Sequence, residues 1–311
     1  MPPARRVATG GPATLDWLGC ATFRLRTAGL TIYLDAYLDR VPSAPSTGFG
    51  TADVDACDWL LIGHSHFDHL WGAETIAVRT GAMVVGSYET ARVLLSLGVP
   101  ERQIIRVAGG ERLRLSADVT VRVFPSLHSC VWTHTVAPGL EEVCIGDLGV
   151  DYGEQSARSA AFIEFVHTLG PEVLSHLKGA DQGAHGDGGA LVYLIESPEG
   201  SVLFQDTAGS WTGVLASIPR PDVAILAGGG RGNLDGEPVQ GSLVDLLVRE
   251  TELLQPQSVI LCHHDDWLPG LTTPMDETPL RAALESSASK AELVTLPYQS
   301  AYALFAGEGH L

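Results

Sequence analysis

Apolar residues fall in short runs along most of this chain. Runs at 13–17, 21–25 and 30–34 are broken by Leu18-Gly19-Cys20 and by Ala28-Gly29, and they predict an antiparallel meander that ends at Asp35. A buried strand is expected at 59–62, ending at Gly63. Helices are expected at 73–80 and 89–97, with a strand at 83–85 between them, and Gly98-Val99-Pro100 stops the second helix. Runs at 112–115 and 119–124 read as strands. The stretch 131–185 breaks this pattern, with an expected helix over 156–169 and a glycine-rich segment at 179–189. It reads as an insertion spanning about 131–189 that forms a pocket wall or lid. Beyond it a hairpin is expected to turn at Pro198-Glu199-Gly200, between 191–196 and 202–205. Strands at 224–226, 259–262, 293–296 and 301–305 then alternate with helices at 243–254 and 279–287. Meanders followed by such alternation predict sheets covered by helices. No linker divides the chain, so one domain is expected over 1–311.

Composition narrows the roles open to such a fold. Of 311 residues, 45% are hydrophobic, enough for a sizeable core, which excludes global disorder. Nineteen Lys+Arg against 37 Asp+Glu give a net charge of -18, a surface that repels phosphate backbones and anionic lipid. Nucleic acid and stable membrane association are therefore not expected, and a small-molecule substrate is; self-association is left open. A bound cation would still make a local positive spot in such a surface. The five cysteines are odd in number and lack metal-ligand spacing, which argues against a disulfide framework and fits a reducing, cytoplasmic compartment. The basic start leads into no apolar segment, and no run approaches the ~18 apolar residues of a membrane span.

The chemistry concentrates in His64-Ser65-His66-Phe67-Asp68-His69, directly after the strand at 59–62. Imidazole and carboxylate are ligands for zinc, manganese or iron. In an extended segment His64 and His66 point the same way and could share one metal. A turn into the next helix would re-aim Asp68 and His69 toward a second. Further ligands should also come from strand ends, and three candidates qualify: His128 after the strand at 119–124, Asp206 after 202–205, and His263 after 259–262, with His264 as the alternative to His263. His185, between glycines, and Arg231, in Gly228-Gly229-Gly230-Arg231-Gly232, are candidates for substrate contact. The glycine run itself lacks the Lys-Ser/Thr ending of a phosphate loop and reads as a tight turn from strand to helix near the site. His134, His167 and His176 read as structural or surface residues, and Trp132, Trp211 and Trp267 as core or pocket lining.

The run His64-Ser65-His66-Phe67-Asp68-His69 resembles the H-x-H-x-D-H signature of the metallo-β-lactamase superfamily. Trp17-Leu18-Gly19-Cys20-Ala21-Thr22-Phe23 with Asp35 resembles the opening hairpin of its lactonase-like and phospholipase-D-like branch. The resemblance implies an αββα four-layer sandwich, with the site at one edge between two sheets. It implies two divalent ions, zinc first, with manganese or iron as alternatives. His64, His66 and His128 would hold the first ion; Asp68, His69 and His263 the second; and Asp206 would bridge them. The branch often reads H-W-D-D-F where this chain has His263-His264-Asp265-Asp266-Trp267, which selects His263 over His264. Cys20 stands where the branch often has histidine, a position that is not a ligand there. The implied activity is hydrolysis of a small-molecule ester, lactone, amide or phosphodiester by a metal-bridging hydroxide. Lactonase-like action is favoured, and Asp68 would orient the water or move a proton. The alternative is a non-hydrolytic metal protein, such as an iron-dependent redox or sulfur-handling enzyme.

Overall fold

The period-two alternation of the first apolar runs is realised as a sheet that buries both faces. The computed structural model describes residues 12–130, 151–239 and 241–305. Strands β1 (Thr14–Trp17), β2 (Phe23–Thr27) and β3 (Leu30–Leu34) form the expected meander. Then β4 (Trp59–Leu61), β5 (Met83–Gly86) and β6 (Ile104–Arg106) each add parallel to the strand before. The chain next enters a second sheet through β7 (Arg112–Arg114), β8 (Thr120–Pro125), β9 (Leu191–Glu196) and β10 (Ser201–Gln205), all antiparallel to their neighbours. A three-stranded sheet of β11 (Gly209–Ser210), β13 (Asn233–Leu234) and β14 (Glu237–Pro238) lies beside it. The second sheet continues, now in parallel, with β12 (Val223–Ala227), β15 (Ser258–Cys262) and β16 (Glu292–Val294). The short β17 (Tyr302–Ala303) returns to pair with β1, so each large sheet has seven strands.

Alternate side chains on these strands enter different layers. Leu15, Phe23, Leu25 and Leu34 from the first sheet meet Tyr193, Ile195, Phe204 and Ile260 from the second in one buried cluster. Their neighbours Tyr33, Leu60, Ile62 and Val84 point outward. After the single turn α1 (Phe67–Leu70), that outer face is covered by α2 (Ala73–Thr80) and α3 (Tyr88–Ser96), through Ile76, Ala77, Ala91 and Leu94. The opposite outer face, with Leu194, Leu203 and Leu261, is covered by α7 (Leu243–Leu254) and α8 (Thr278–Ser286), through Leu247, Leu254, Leu280 and Leu284. The short α6 (Thr212–Leu215) adds Leu215 to that layer. The result is the αββα arrangement. Among the described residues no helix is long and apolar enough to cross a membrane.

The segment before β9 differs from expectation. Helix α4 (Tyr152–Val166) starts earlier than expected because Asp151 caps it reciprocally with Glu154. A second helix, α5 (Pro171–Ala180), was not expected: Gly170-Pro171 looks like a breaker, yet proline at the first helical position starts a helix. Residues 131–150, with Trp132 and His134, lie outside the described residues. The glycine run after β12 leads into β13 and β14, and α7 begins only at Leu243. It is therefore not a direct turn from strand to helix. The strand expected at 301–305 is reduced to the two residues of β17.

Candidate metal centre

The polar residues at strand ends converge where the two sheets present their C-terminal edges. Asp35 follows β3 and His64 follows β4; Asp206 follows β10 and His263 follows β15. The chain then turns at His66, the residue preceding α1, which carries Asp68 and His69 inward. His64, His69, Asp35 and Asp206 are almost wholly excluded from solvent. Two glycines permit this convergence. A Cβ on Gly63 would lie 2.1 Å from Asp206 Oδ2, and one on Gly229 would lie 2.2 Å from the His263 carbonyl oxygen.

Among the described residues three groups of donor atoms form, each with all members within 4.8 Å of one another: His64, His66 and His128; His64, His69 and Asp206; and Cys20, Asp68 and His263. The hydrogen bonds around them set which nitrogen of each ring is free. His64 Nδ1 lies 2.6 Å from Asp206 Oδ2, and an ionised carboxylate can only accept, so Nδ1 carries the proton. The lone pair of His64 is then on Nε2, which is buried and has no hydrogen-bond partner. His66 Nε2 donates to the Gly186 carbonyl at 2.9 Å, and His128 Nδ1 to the Ser129 carbonyl at 2.9 Å. Their lone pairs are thus on Nδ1 and Nε2. Asp206 Oδ1 is likewise buried without a partner. Buried polar atoms are nearly always paired, so an unpaired imidazole nitrogen facing two further histidines fits a cation. His69 Nδ1 donates to Asp35 Oδ2 at 2.7 Å, leaving Nε2 toward Asp68 Oδ2 at 3.3 Å, and His263 Nε2 approaches the same oxygen at 3.0 Å. A carboxylate behind a histidine is how metal-binding rings are commonly oriented.

The ionisation states of His64 and His128 agree with this use, whereas burial at His69 is overcome by Asp68, Asp206 and Asp35, which raise it well above its ordinary value, so an ion there would have to displace a proton. Burial, reinforced by His69, pushes His64 down to about 4, and burial with His64 and His66 pushes His128 down to about 3. Both rings are therefore neutral at pH 7, as metal ligation requires. Burial would raise Asp206, but His64 and His69 hold it below the usual carboxylate range. Burial likewise opposes the ionisation of Asp68, while His69 and His263 hold it well below that range. Burial and the Asp206 charge push Asp35 up to about 8.

The paired histidines point in different directions, and His263 joins Cys20 and Asp68 in a donor group. His264 turns away and stacks on Trp17, with ring centroids 4.3 Å apart. His185 is not drawn into the cluster: its side chain is 77% exposed and it sits against Glu89, outside both cavities. Arg231 is half-buried and lines neither of these two cavities. The glycine loop contributes through its backbone instead, since the Gly188 carbonyl accepts from Ser65 N at 3.2 Å and the Gly186 carbonyl holds His66. His176 is structural, bonded to the Tyr37 hydroxyl at 2.7 Å, whereas His167 is exposed at the rim of the large cavity. Trp267 packs edge-on to His263 and lines the smaller cavity; Trp211 is 38% exposed. Asp35 was legible only as a strand-ending carboxylate, and its contact with His69 could not be read from the chain.

A cavity of about 1010 Å³ opens over His66, Asp68 and His128, walled by Phe162, Ile163 and Val166 of α4 and by Leu174 and Leu177 of α5. A second, of about 440 Å³, shares those three residues and reaches His69, His263 and Trp267. Helices α4 and α5 therefore form a wall of the larger cavity.

Known proteins agree with this architecture. A beta-lactamase superfamily domain model matches residues 31–146. A UPF0173 metal-dependent hydrolase of Myxococcus xanthus is 36% identical over 127 residues, 40% of this chain and 43% of that protein. One of Pyrobaculum calidifontis is 33% identical over 115 residues, 37% of this chain and 50% of that protein. The chain thus spans half or less of the length of these two relatives. Among solved structures, Igni18, a metallo hydrolase of Ignicoccus hospitalis, superposes with a TM-score of 0.59 at 17% identity, covering 93% of this chain and 97% of that one. CmlA, a diiron β-hydroxylase of Streptomyces venezuelae, gives 0.56 at 18% identity, covering 93% and 54%. The fold is that of the metallo-β-lactamases. The sequence match to the beta-lactamase superfamily domain lies within residues 31–146.

Proposed function

We propose that this protein is a dinuclear metal-dependent hydrolase of a small-molecule ester, lactone, amide or phosphodiester, with a lactone favoured. The observation that carries the reading is the buried, unpartnered Nε2 of His64 facing His66 and His128. The names of the bacterial and archaeal relatives, metal-dependent hydrolases, support it. His64, His66 and His128 would hold one ion, Asp68, His69 and His263 the other, and Asp206 both. Zinc suits this mixture of nitrogen and oxygen donors, and manganese or iron are the alternatives. Bound there, the ions would supply Lewis acidity and water activation near neutral pH.

The chain's own groups do the rest. Asp35 and the carbonyls of Gly186 and Ser129 hold the rings in the tautomers that leave their inward nitrogens free. Asp68, which lines both cavities, would orient a water and take its proton. The apolar wall from α4 and α5 limits water around a substrate lodged over His66 and His128. Metal analysis of wild type and Asp206→Ala tests the site. Wild type should carry close to two ions after loading and the variant clearly fewer. A wild type that never binds metal overturns the reading. A screen of loaded protein against lactones, thioesters and phosphodiesters then identifies the substrate class. A coloured iron centre without hydrolysis of any of these would favour the redox alternative.

A further inference from the structure

Cys20 lies in the turn between β1 and β2, with φ at +48°, a left-handed conformation uncommon outside glycine. Its backbone is tied on both sides. The amide donates to the Asp265 carboxylate at 3.2 Å, and the carbonyl accepts from the Trp17 indole at 3.0 Å and from the His263 amide at 2.8 Å. The last bond couples the turn directly to His263. The side chain is fully buried, and its sulfur has only a weak contact, 3.7 Å, with the Asp68 backbone carbonyl. The side chain also belongs to the central hydrophobic cluster. The sulfur, an Asp68 carboxylate oxygen and a His263 ring nitrogen all lie within 4.8 Å of one another, close enough to share one ion. Cys57 and Cys262, by contrast, contact the carbonyls of Trp59 and Gln205 and join no such group.

We propose that Cys20 is a thiolate ligand to the ion held by Asp68 and His263. This inference rests on the two-ion reading of the site and adds to it a sulfur donor in place of an all-nitrogen-and-oxygen second site. The thiol releases its proton to solvent as the sulfur–metal bond forms, so no oxidant or reductant is needed. A soft sulfur donor biases the second site toward zinc and away from manganese.

Cobalt(II) loaded into the metal-stripped full chain is the test. Metal analysis counts the ions, and absorption reads the donors. Wild type and Cys57→Ser should bind two cobalt ions and show a thiolate-to-cobalt charge-transfer band in the near ultraviolet. Cys20→Ser should lose that band while keeping its visible cobalt bands. Two bound cobalt ions with no thiolate band in wild type, or a band that survives in Cys20→Ser, overturns the role of Cys20 and leaves the two-ion reading standing. No cobalt binding at all overturns both. Should Cys20→Ser not fold, X-ray absorption at the zinc edge of loaded wild type decides, with a sulfur at about 2.3 Å expected. A shell of nitrogen and oxygen alone overturns the proposal.

Discussion

Replacing Glu250 by glutamine should stabilise the protein more at pH 8 than at pH 5. Glu250 lies on α7 with no exposed surface. Its Oε1 accepts from Gln205 Nε2 at 2.9 Å and from Ser210 Oγ at 2.9 Å, bracing the residue next to Asp206, while Oε2 has no partner. Burial raises this carboxyl from its ordinary 4.5 to about 7, against the lowering effect of those two bonds. Between these values the folded protein holds a proton that the unfolded chain has lost. The Glu250 contribution to stability therefore falls as pH rises through this window and levels off above about 7. At 1.36 kcal/mol per unit the gap corresponds to about 3 kcal/mol. Glutamine keeps an acceptor oxygen and cannot ionise. In urea titrations of metal-free protein, Glu250→Gln should match wild type near pH 5 and exceed it at pH 8 by on the order of 2–3 kcal/mol. A difference between the two proteins that stays constant from pH 5 to 8 would show that Glu250 does not titrate in the folded state as argued.

Two further changes probe the metal centre. Asp35→Asn keeps the shape of the residue behind His69 but weakens its hold on the ring. Affinity for the second ion should fall about 10- to 100-fold with unchanged circular dichroism, and unaltered metal titrations would deny Asp35 this positioning role. Gly63→Ala places a methyl group 2.1 Å from Asp206 Oδ2. It should cost about 1–3 kcal/mol of stability and lower metal content, both measurable by melting and metal analysis, and wild-type values in both would refute the close approach.

The layers were largely legible in the chain because a buried strand declares its faces in its alternation. Tyr33 and Leu34 are adjacent in sequence yet belong to different clusters, as the period of two requires. Helix α5 was hidden because Gly170-Pro171 stops one helix and starts another, and only packing of Val173 and Leu177 shows which. Residue type and glycine neighbours single out His185 and Arg231 in the chain, but they do not encode the exposure of the His185 side chain.

What the sequence determined by itself was the donor chemistry: imidazoles and carboxylates placed just past apolar strands. Strand ends are where backbone hydrogen bonding stops and side chains are released toward a shared edge. What only the tertiary structure decided was which donors meet. His64 touches Asp206 across 142 positions, and His263 touches Asp68 across 195. Those pairings depend on how two sheets stack, which periodicity within a strand does not encode. The same holds for the tautomers set by Asp35 and the Gly186 carbonyl, and for the approach of Cys20 to Asp68 and His263. Each is a contact between loops whose neighbours in space are chosen by core packing far from the loops themselves.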